Sequence, residues 1–414
     1  MKFHKILPVL ALCFAVACTT AETDPTPDPE PTPEPTPDPE PEPEPEPVFA
    51  LDAYWAEDYA GPYGIHVEDG LMTLAGEPLY VTGVNCYDLF LQSLSATMST
   101  ENLEKTVDVL VNEEVPVVRF SASVYSASQM TYYLDTPDAF FANLEKLATL
   151  CDENHILLIP SVFWQINCLP TYYEEELAAW GDSSSQTRKF ADTYTRAIVD
   201  ALKGHKCIAA WEFGNEFNLA ADIDIAGYPD ITADEIGDAL KAFADKVQSL
   251  DSAHGRLIAS GHSVMRNAQW HLYRSENWNT DSFEEYVKAT ELMTPEPMQG
   301  MSEHIYEEAR KFSDLGTLDR DGQIAKSMEA AAQLGKVFYV GEFSGPTDGN
   351  TSDLIASHHE TYYNAGVQLS LIWNYALRAQ IEHSFKASSR EGNIAFGAMR
   401  KYNRKFRERI AEGQ

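Results

Sequence analysis

The sequence predicts an α/β fold, a single (β/α)₈ barrel behind a disordered linker, and three observations lead there. Eight short runs, rich in β-branched and aromatic residues, recur between residues 80 and 373. Several are almost continuously apolar, as parallel strands covered on both faces must be. Segments with helical grammar separate them, and no Gly-rich phosphate loop follows any run, which sets aside a doubly wound nucleotide-binding sheet.

In chain order, GLMTLAGEPLYV (70–81) predicts a hairpin turning at Gly76-Glu77 that plugs the barrel bottom. The strands follow at 80–85, 116–121, 156–162, 207–213, 256–261, 300–306, 336–342 and 367–373. Pro137 stands where a first helical turn tolerates proline, and Leu144, Leu147, Leu150 and Cys151 continue an apolar stripe. Thr232 with Glu235 forms a capping box, and Ile231 can staple onto Ile236. Ile236, Leu240, Phe243, Val247 and Leu250 then repeat at helical spacing. Gly335 stops a helix just before the seventh strand.

The N-terminus is compositionally distinct. Lys2 and Lys5 precede a short apolar run ending Ala15-Val16-Ala17-Cys18, the pattern of a lipoprotein export signal over 1–18 with Cys18 as the lipidated residue. Residues 19–48 are a Pro/acidic linker, in which proline occupies every second position from Pro25 to Pro47. Proline fixes φ and removes a donor, so an extended polyproline-type spacer is expected, with reach as its task. The chain is thus expected to be exported and anchored by lipid at the outer membrane or cell surface, with residues 49–414 as the catalytic domain.

Without the signal and the linker, 54 acidic residues still face 28 basic ones. A field of that sign repels nucleic acid and anionic polymers, so a neutral polymer is the partner that fits. Cys86, Cys151, Cys168 and Cys207 are scattered without a C-x-x-C pair, which argues against a zinc ribbon or redox site. Cys86 and Cys168 either pair at one barrel face or remain buried thiols.

Barrel enzymes carry their chemistry at the C-terminal strand ends. Here those ends read Asn85, Arg119, Trp164-Gln165, Asn215-Glu216, His262, His304-x-Tyr306, Glu342 and Trp373. An apolar strand has no structural need for a terminal carboxylate, because burying an unpaired charge is costly. Two glutamates on different strands facing one rim are what glycosidic hydrolysis requires, one to protonate the leaving oxygen and one to attack the anomeric carbon. Glu212, beside the same stretch, is expected to point away from the cleft.

WEFGNEFN (211–218) resembles the acid/base strand of glycoside hydrolase family 5, the cellulase and β-mannanase family, and VFYVGEFSG (337–345) resembles its nucleophile strand. Arg119, Asn215, His304 with Tyr306, and Trp373 match the remaining pattern in order, over Gly76 to Arg378. Trp164-Gln165 departs from it, standing where the family often has a histidine, and this bears on the substrate. The resemblance implies a retaining β-glycosidase with Glu216 as acid/base and Glu342 as nucleophile. Arg119 would hold the Glu342 pKa down, Tyr306 would steady its carboxylate, His304 would tune Glu216, Asn215 would bond a sugar hydroxyl and Trp373 would face the ring. No metal or organic cofactor is required. β-1,4-Mannan or a β-glucan is the expected substrate, with an exo-acting enzyme on oligosaccharides or a non-catalytic glycan-binding lipoprotein as the alternatives. Trp164, Trp270 and Trp278 are candidate sugar platforms or core residues, His262 a cleft residue or a buried one, and His358-His359 ordinary surface.

Overall fold

The computed structural model describes residues 47–94, 100–124, 126–221, 231–274, 277–306, 309–343, 351–375 and 384–413. The expected export signal, with Cys18, and the expected linker up to Glu46 lie outside these residues. Eight parallel strands close on themselves: β1 Val81–Asn85, β2 Val117–Ser121, β3 Leu157–Phe163, β4 Ala210–Gly214, β5 Leu257–Ala259, β6 Gly300–Ile305, β7 Val337–Phe343 and β8 Leu369–Ile372. β8 returns to pair with β1, Leu369 opposite Val81, which completes the barrel. A short extension, His262–Ser263, pairs with the end of β6. The predicted strands are all present, although β4 begins three residues late because only Ile208 of its predicted start bridges to β3.

The helices between strands bury one face each against the barrel. Thr232 and Glu235 close a reciprocal capping box on the helix Ala233–Leu250, whose Ile236, Leu240, Phe243 and Val247 are buried. Pro137 opens the helix Pro137–Glu153, and Gly335 follows the helix Arg320–Gln333 with φ of 68°. Beneath the barrel, Ile65–Glu68, Leu71–Leu74 and Glu77–Pro78 form a small antiparallel sheet. Leu74 pairs with Glu77, so the turn residues are Ala75 and Gly76, both at positive φ, one position earlier than the sequence suggested. Met72 and Leu74 from this sheet and Tyr54 from the preceding helix share a buried cluster with Val81, Val117, Leu157 and Val337, so the bottom is plugged as expected.

Strand alternation sorts the side chains. In β4, Ala210 belongs to the inner cluster, while Trp211 and Phe213 pack outward against helices. Going up the axis, inward residues change from apolar to polar: Val117 is followed by Arg119, Ala210 by Glu212, and Val337 by Tyr339. Seven of the eight strands contribute to the apolar floor, β6 entering it with Gly300 instead of an apolar side chain. The floor offsets the cost of the charges held above it, since each fully buried aliphatic side chain contributes roughly 1.5–3 kcal/mol.

Candidate active site

The polar upper layer of the barrel is a single hydrogen-bonded set. Arg119, fully buried on β2, sits at its centre. Its Nη1 donates to Glu342 Oε1 at 2.7 Å and to Asn85 Oδ1 at 3.0 Å. Its Nη2 donates to Asn215 Oδ1 at 2.9 Å and its Nε to Glu212 Oε1 at 2.7 Å. The indole of Trp164 lies 4.8 Å from the guanidinium carbon. Every edge of the cation is thus engaged, the condition under which a buried charge is tolerable.

Glu342 reaches this layer through a bulge. Along β7, Val337 and Tyr339 face inward, so strict alternation would turn Gly341 inward and Glu342 outward. The register against β6 shifts instead, Glu303 pairing with Val340 and His304 with Glu342. The additional residue re-aims Glu342 into the lumen, as bulges near active sites do. Only glycine fits there. A Cβ on Gly341 would lie 2.4 Å from Ser302 Oγ and 2.9 Å from the His304 ring. The second Glu342 oxygen accepts a 2.7 Å bond from the Tyr306 hydroxyl.

Glu216 lies just past the end of β4, with φ of 55°, and its amide donates to Gly261 O at 2.9 Å. That close approach needs the glycine, since a Cβ at Gly261 would lie 1.9 Å from Gly214 O. His304 Nδ1 stands 3.0 Å from Glu216 Oε1 and 3.4 Å from Glu342 Oε1. One carboxylate oxygen of Glu216 and one of Glu342 lie within 4.8 Å of each other. A separation of about 5–5.5 Å accompanies direct attack by a carboxylate, whereas about 6.5–9.5 Å leaves room for an intervening water.

Burial pushes Glu342 above the ordinary carboxyl value, and the charge on Glu216 adds to the push, against the pull of His304, Arg119 and the Tyr306 bond. Burial would raise Glu216 too, but the bond and charge of His304, a bond from Ser263 and the charge of Arg119 bring it below the ordinary value. The expectation that Arg119 holds Glu342 down is corrected to this extent: it pulls downward and burial outweighs it. Two carboxyls this close compete for one proton, and the titration belongs to the pair. Hydrogen bonding decides where that proton rests. Both oxygens of Glu342 already accept bonds, one from a cation, whereas Glu216 faces a ring nitrogen able to donate or accept according to its tautomer. With the proton on Glu216, the repulsion that lifts Glu342 disappears.

The remaining predicted residues divide. Asn85 binds strands rather than the cleft, donating through Nδ2 to Gly341 O at 2.9 Å and Leu371 O at 3.3 Å. Trp373 is partly exposed at the rim, stacked 6.1 Å from Trp164 and 5.9 Å from Tyr87. Trp164 is only 4 % exposed, so it is a support beneath Trp373 and over Arg119 rather than an open platform. Trp270 is half-buried under Arg274, whereas Trp278 is 52 % exposed. His262 is corrected as a cleft residue: it is buried, with Nε2 on Met293 O at 2.9 Å, and burial depresses it to about 3. Its neighbour Ser263 makes the contact to Glu216. Glu212 is corrected too, since Ala210 and Glu212 share the inward face and the carboxylate lies beneath the cleft under Arg119. His358 and His359 are buried, not on the surface, and stack on Phe343 and Tyr402 respectively. The four domain cysteines are buried free thiols, so Cys86 and Cys168 do not pair.

Among the described residues, two triads have the spacing a divalent cation needs: Glu216, His304 and Glu342, and His271, Asp281 and Glu285. In the first, a guanidinium already occupies the cationic position beside Glu342. In the second, Asp281 accepts from Trp270 N and His271 Nδ1, and Glu285 from Ser282, so the lone pairs are engaged in capping.

No protein-family model and no curated protein sequence matches the chain. Solved structures do. An endo-1,4-β-mannanase from Rhizomucor miehei superposes with a TM-score of 0.60 at 14% identity, over 82% of this chain and 99% of that one. A glycoside hydrolase family 5 mannosidase from the same organism gives 0.56 at 12% identity, over 86% and 100%. The β-1,4-mannanase of the sea hare Aplysia kurodai gives 0.54 at 14%, over 81% and 96%. The chain therefore shares the (β/α)₈-barrel fold of these mannanases and of the family 5 mannosidase.

Proposed function

We propose that the chain is a retaining β-glycosidase that cleaves β-1,4-linked mannose chains. The observation that carries the reading is the pair of carboxyl oxygens on Glu216 and Glu342 within 4.8 Å, one carboxyl hydrogen-bonded by Arg119 and Tyr306 and the other by His304. Glu342, with both oxygens held by donors, attacks the anomeric carbon, and Glu216 gives its proton to the departing oxygen. In the second half of the reaction Glu216 takes a proton from water, which attacks the glycosyl-enzyme and returns the β-configuration. Asn215, its oxygen committed to Arg119, turns its amide nitrogen toward a sugar hydroxyl, and Trp373 offers a ring face at the rim. The preference for mannan rests on the likeness to mannanases and mannosidases of known structure. Exported as a lipoprotein through Cys18, the catalytic domain would stand off the membrane on its acidic spacer.

Product analysis on mannan, xyloglucan, cellulose and mixed-linkage glucan tests the reading. Release of β-configured manno-oligosaccharides supports endo action, and release of mannose alone supports an exo enzyme. Loss of hydrolysis in Glu342→Gln with retained binding places the chemistry on that carboxylate. Binding without hydrolysis by the unsubstituted protein overturns the reading in favour of a glycan-binding lipoprotein. Conversion of Cys18 to Ala should release the protein from membranes, and an unchanged membrane fraction refutes the anchor.

A further inference from the structure

The reaction proposed above uses Glu216 and Glu342, yet a third buried glutamate is wired to the same cation. Glu212 is completely buried on β4, one layer below the catalytic pair. Its Oε1 accepts from Arg119 Nε at 2.7 Å, and its Oε2 accepts from the Tyr339 hydroxyl at 2.9 Å. Arg119 therefore stands between two carboxylates at the same 2.7 Å distance, Glu212 below and Glu342 above. The fold makes room for this lower carboxylate. A Cβ on Gly261 would lie 2.6 Å from Glu212 Cδ.

A buried carboxylate with no access to substrate is costly unless it performs a task through its partners. A second anion on Arg119 is not needed to neutralise it, because Glu342 alone would do so. Glu212 contributes something else. Its bond fixes the Nε edge of a planar, five-donor group, so that Nη1 meets Glu342 and Asn85 and Nη2 meets Asn215. Its charge also competes with Glu342 for the single positive charge between them.

We infer that Glu212 is a positioning residue, which orients the Arg119 guanidinium and takes up part of its charge, so that Arg119 steadies Glu342 without quenching it as a nucleophile. Tyr339 regulates this share. Its hydroxyl supports the far oxygen of Glu212 and so reduces the draw of Glu212 on Arg119. The inference rests on the assignment of Glu342 as nucleophile, and its own test is a pH profile.

Glu212→Gln keeps an acceptor for Arg119 Nε and removes the charge, its amide NH2 now donating to the Tyr339 hydroxyl in place of accepting from it. Arg119 then acts wholly on Glu342, and the repulsion from below is gone, so Glu342 ionises at lower pH. The acidic limb of kcat/KM, which follows the free nucleophile, should move down by about one pH unit, the scale of a nearby charge. Tyr339→Phe should move the same limb the other way by a smaller amount, because Glu212 then draws harder on Arg119. Melting temperatures of both variants establish that they are folded, and Glu212→Asp serves if the glutamine variant is not, because a shorter carboxylate should weaken the hold on Nε and lower kcat with the limb unmoved. Opposite displacements in the first two variants support the inference, and an acidic limb that stays with the unsubstituted protein in a folded Glu212→Gln overturns it. If the unsubstituted protein hydrolyses none of the β-glycans, it is the assignment of the reaction that fails, a separable outcome.

Discussion

The Nδ1 nitrogen of His304 stands 3.0 Å from Glu216 Oε1, closer than its 3.4 Å to Glu342 Oε1, so the histidine belongs first to Glu216, the proposed acid/base. His304 is wholly buried and Glu216 is not, its side chain being 30% exposed. A bound sugar removes that exposure. The desolvation that follows favours the protonated carboxyl, the form that the proposed first step needs.

The two carboxyls should therefore fail in different ways. Glu342→Gln is expected to lower kcat/KM by about 10⁴-fold or more on any substrate, since no covalent intermediate forms. Glu216→Ala should be milder on an aryl glycoside whose leaving group needs no proton, and azide should restore turnover by replacing the water that Glu216 activates. Initial rates with and without azide check this, and the product should be the β-glycosyl azide; an α-glycosyl azide from the Glu216 variant would mean that azide replaces the nucleophile there and would reverse the two assignments.

His304→Asn should shift the alkaline limb of kcat/KM upward. The histidine bond and charge pull Glu216 below the ordinary carboxyl value against the effect of burial, so their loss lets Glu216 hold its proton to higher pH. The alkaline limb follows the acid of the free enzyme. An acidic limb that rises while the alkaline limb stays in place would mean that His304 acts mainly on Glu342, which it also pulls down.

Gly341→Ala should cost both stability and activity. The new methyl would meet Ser302 Oγ at 2.4 Å and the His304 ring at 2.9 Å, and overpacking of this kind costs about 1–3 kcal/mol. Because Gly341 is the bulge residue that turns Glu342 inward, kcat should fall by about tenfold or more in the fraction that folds. Thermal denaturation with active-site titration separates the two effects.

Most of the barrel was legible because its strands are apolar runs ending in polar residues, and the paired glutamates at two such ends carried the site. Alternation from Leu257 and Ala259 already puts Ser263 inward and His262 outward; choosing His262 followed its chemistry instead of its parity. The same count from Ala210 places Glu212 in the lumen. Glu342 is the opposite case. Strict alternation along β7 would have turned it out, and nothing in VFYVGEF announces the bulge except a glycine beside the glutamate. The buried histidines were also readable, since Ile355, His358, His359 and Tyr362 fall on one helical face. Treating histidine as a surface residue hid that stripe.

That stripe gives the last prediction. Burial, helped by the charge of Lys401, depresses His359 from 6.5 to about 3. Its ring is stacked 4.9 Å from Tyr402 and its Nε2 is buried without a hydrogen-bond partner. A histidine that stays neutral when folded contributes full stability above the unfolded value near 6.5. As pH falls below it, the unfolded chain gains a proton that the folded chain refuses, and stability declines toward pH 3. At pH 4.5 the loss from this one residue is on the order of 2–3 kcal/mol. Buried Asp88, pushed up to about 7 by desolvation, works in the opposite sense over part of the same range, so the overall melting curve mixes both signs. Comparison isolates the histidine. His359→Phe keeps an aromatic ring against Tyr402 and removes the titration, so its melting temperature relative to the unsubstituted protein should rise steadily between pH 7 and pH 4.5. A difference that stays constant across that range would mean His359 accepts a proton in the folded protein as readily as in the unfolded chain.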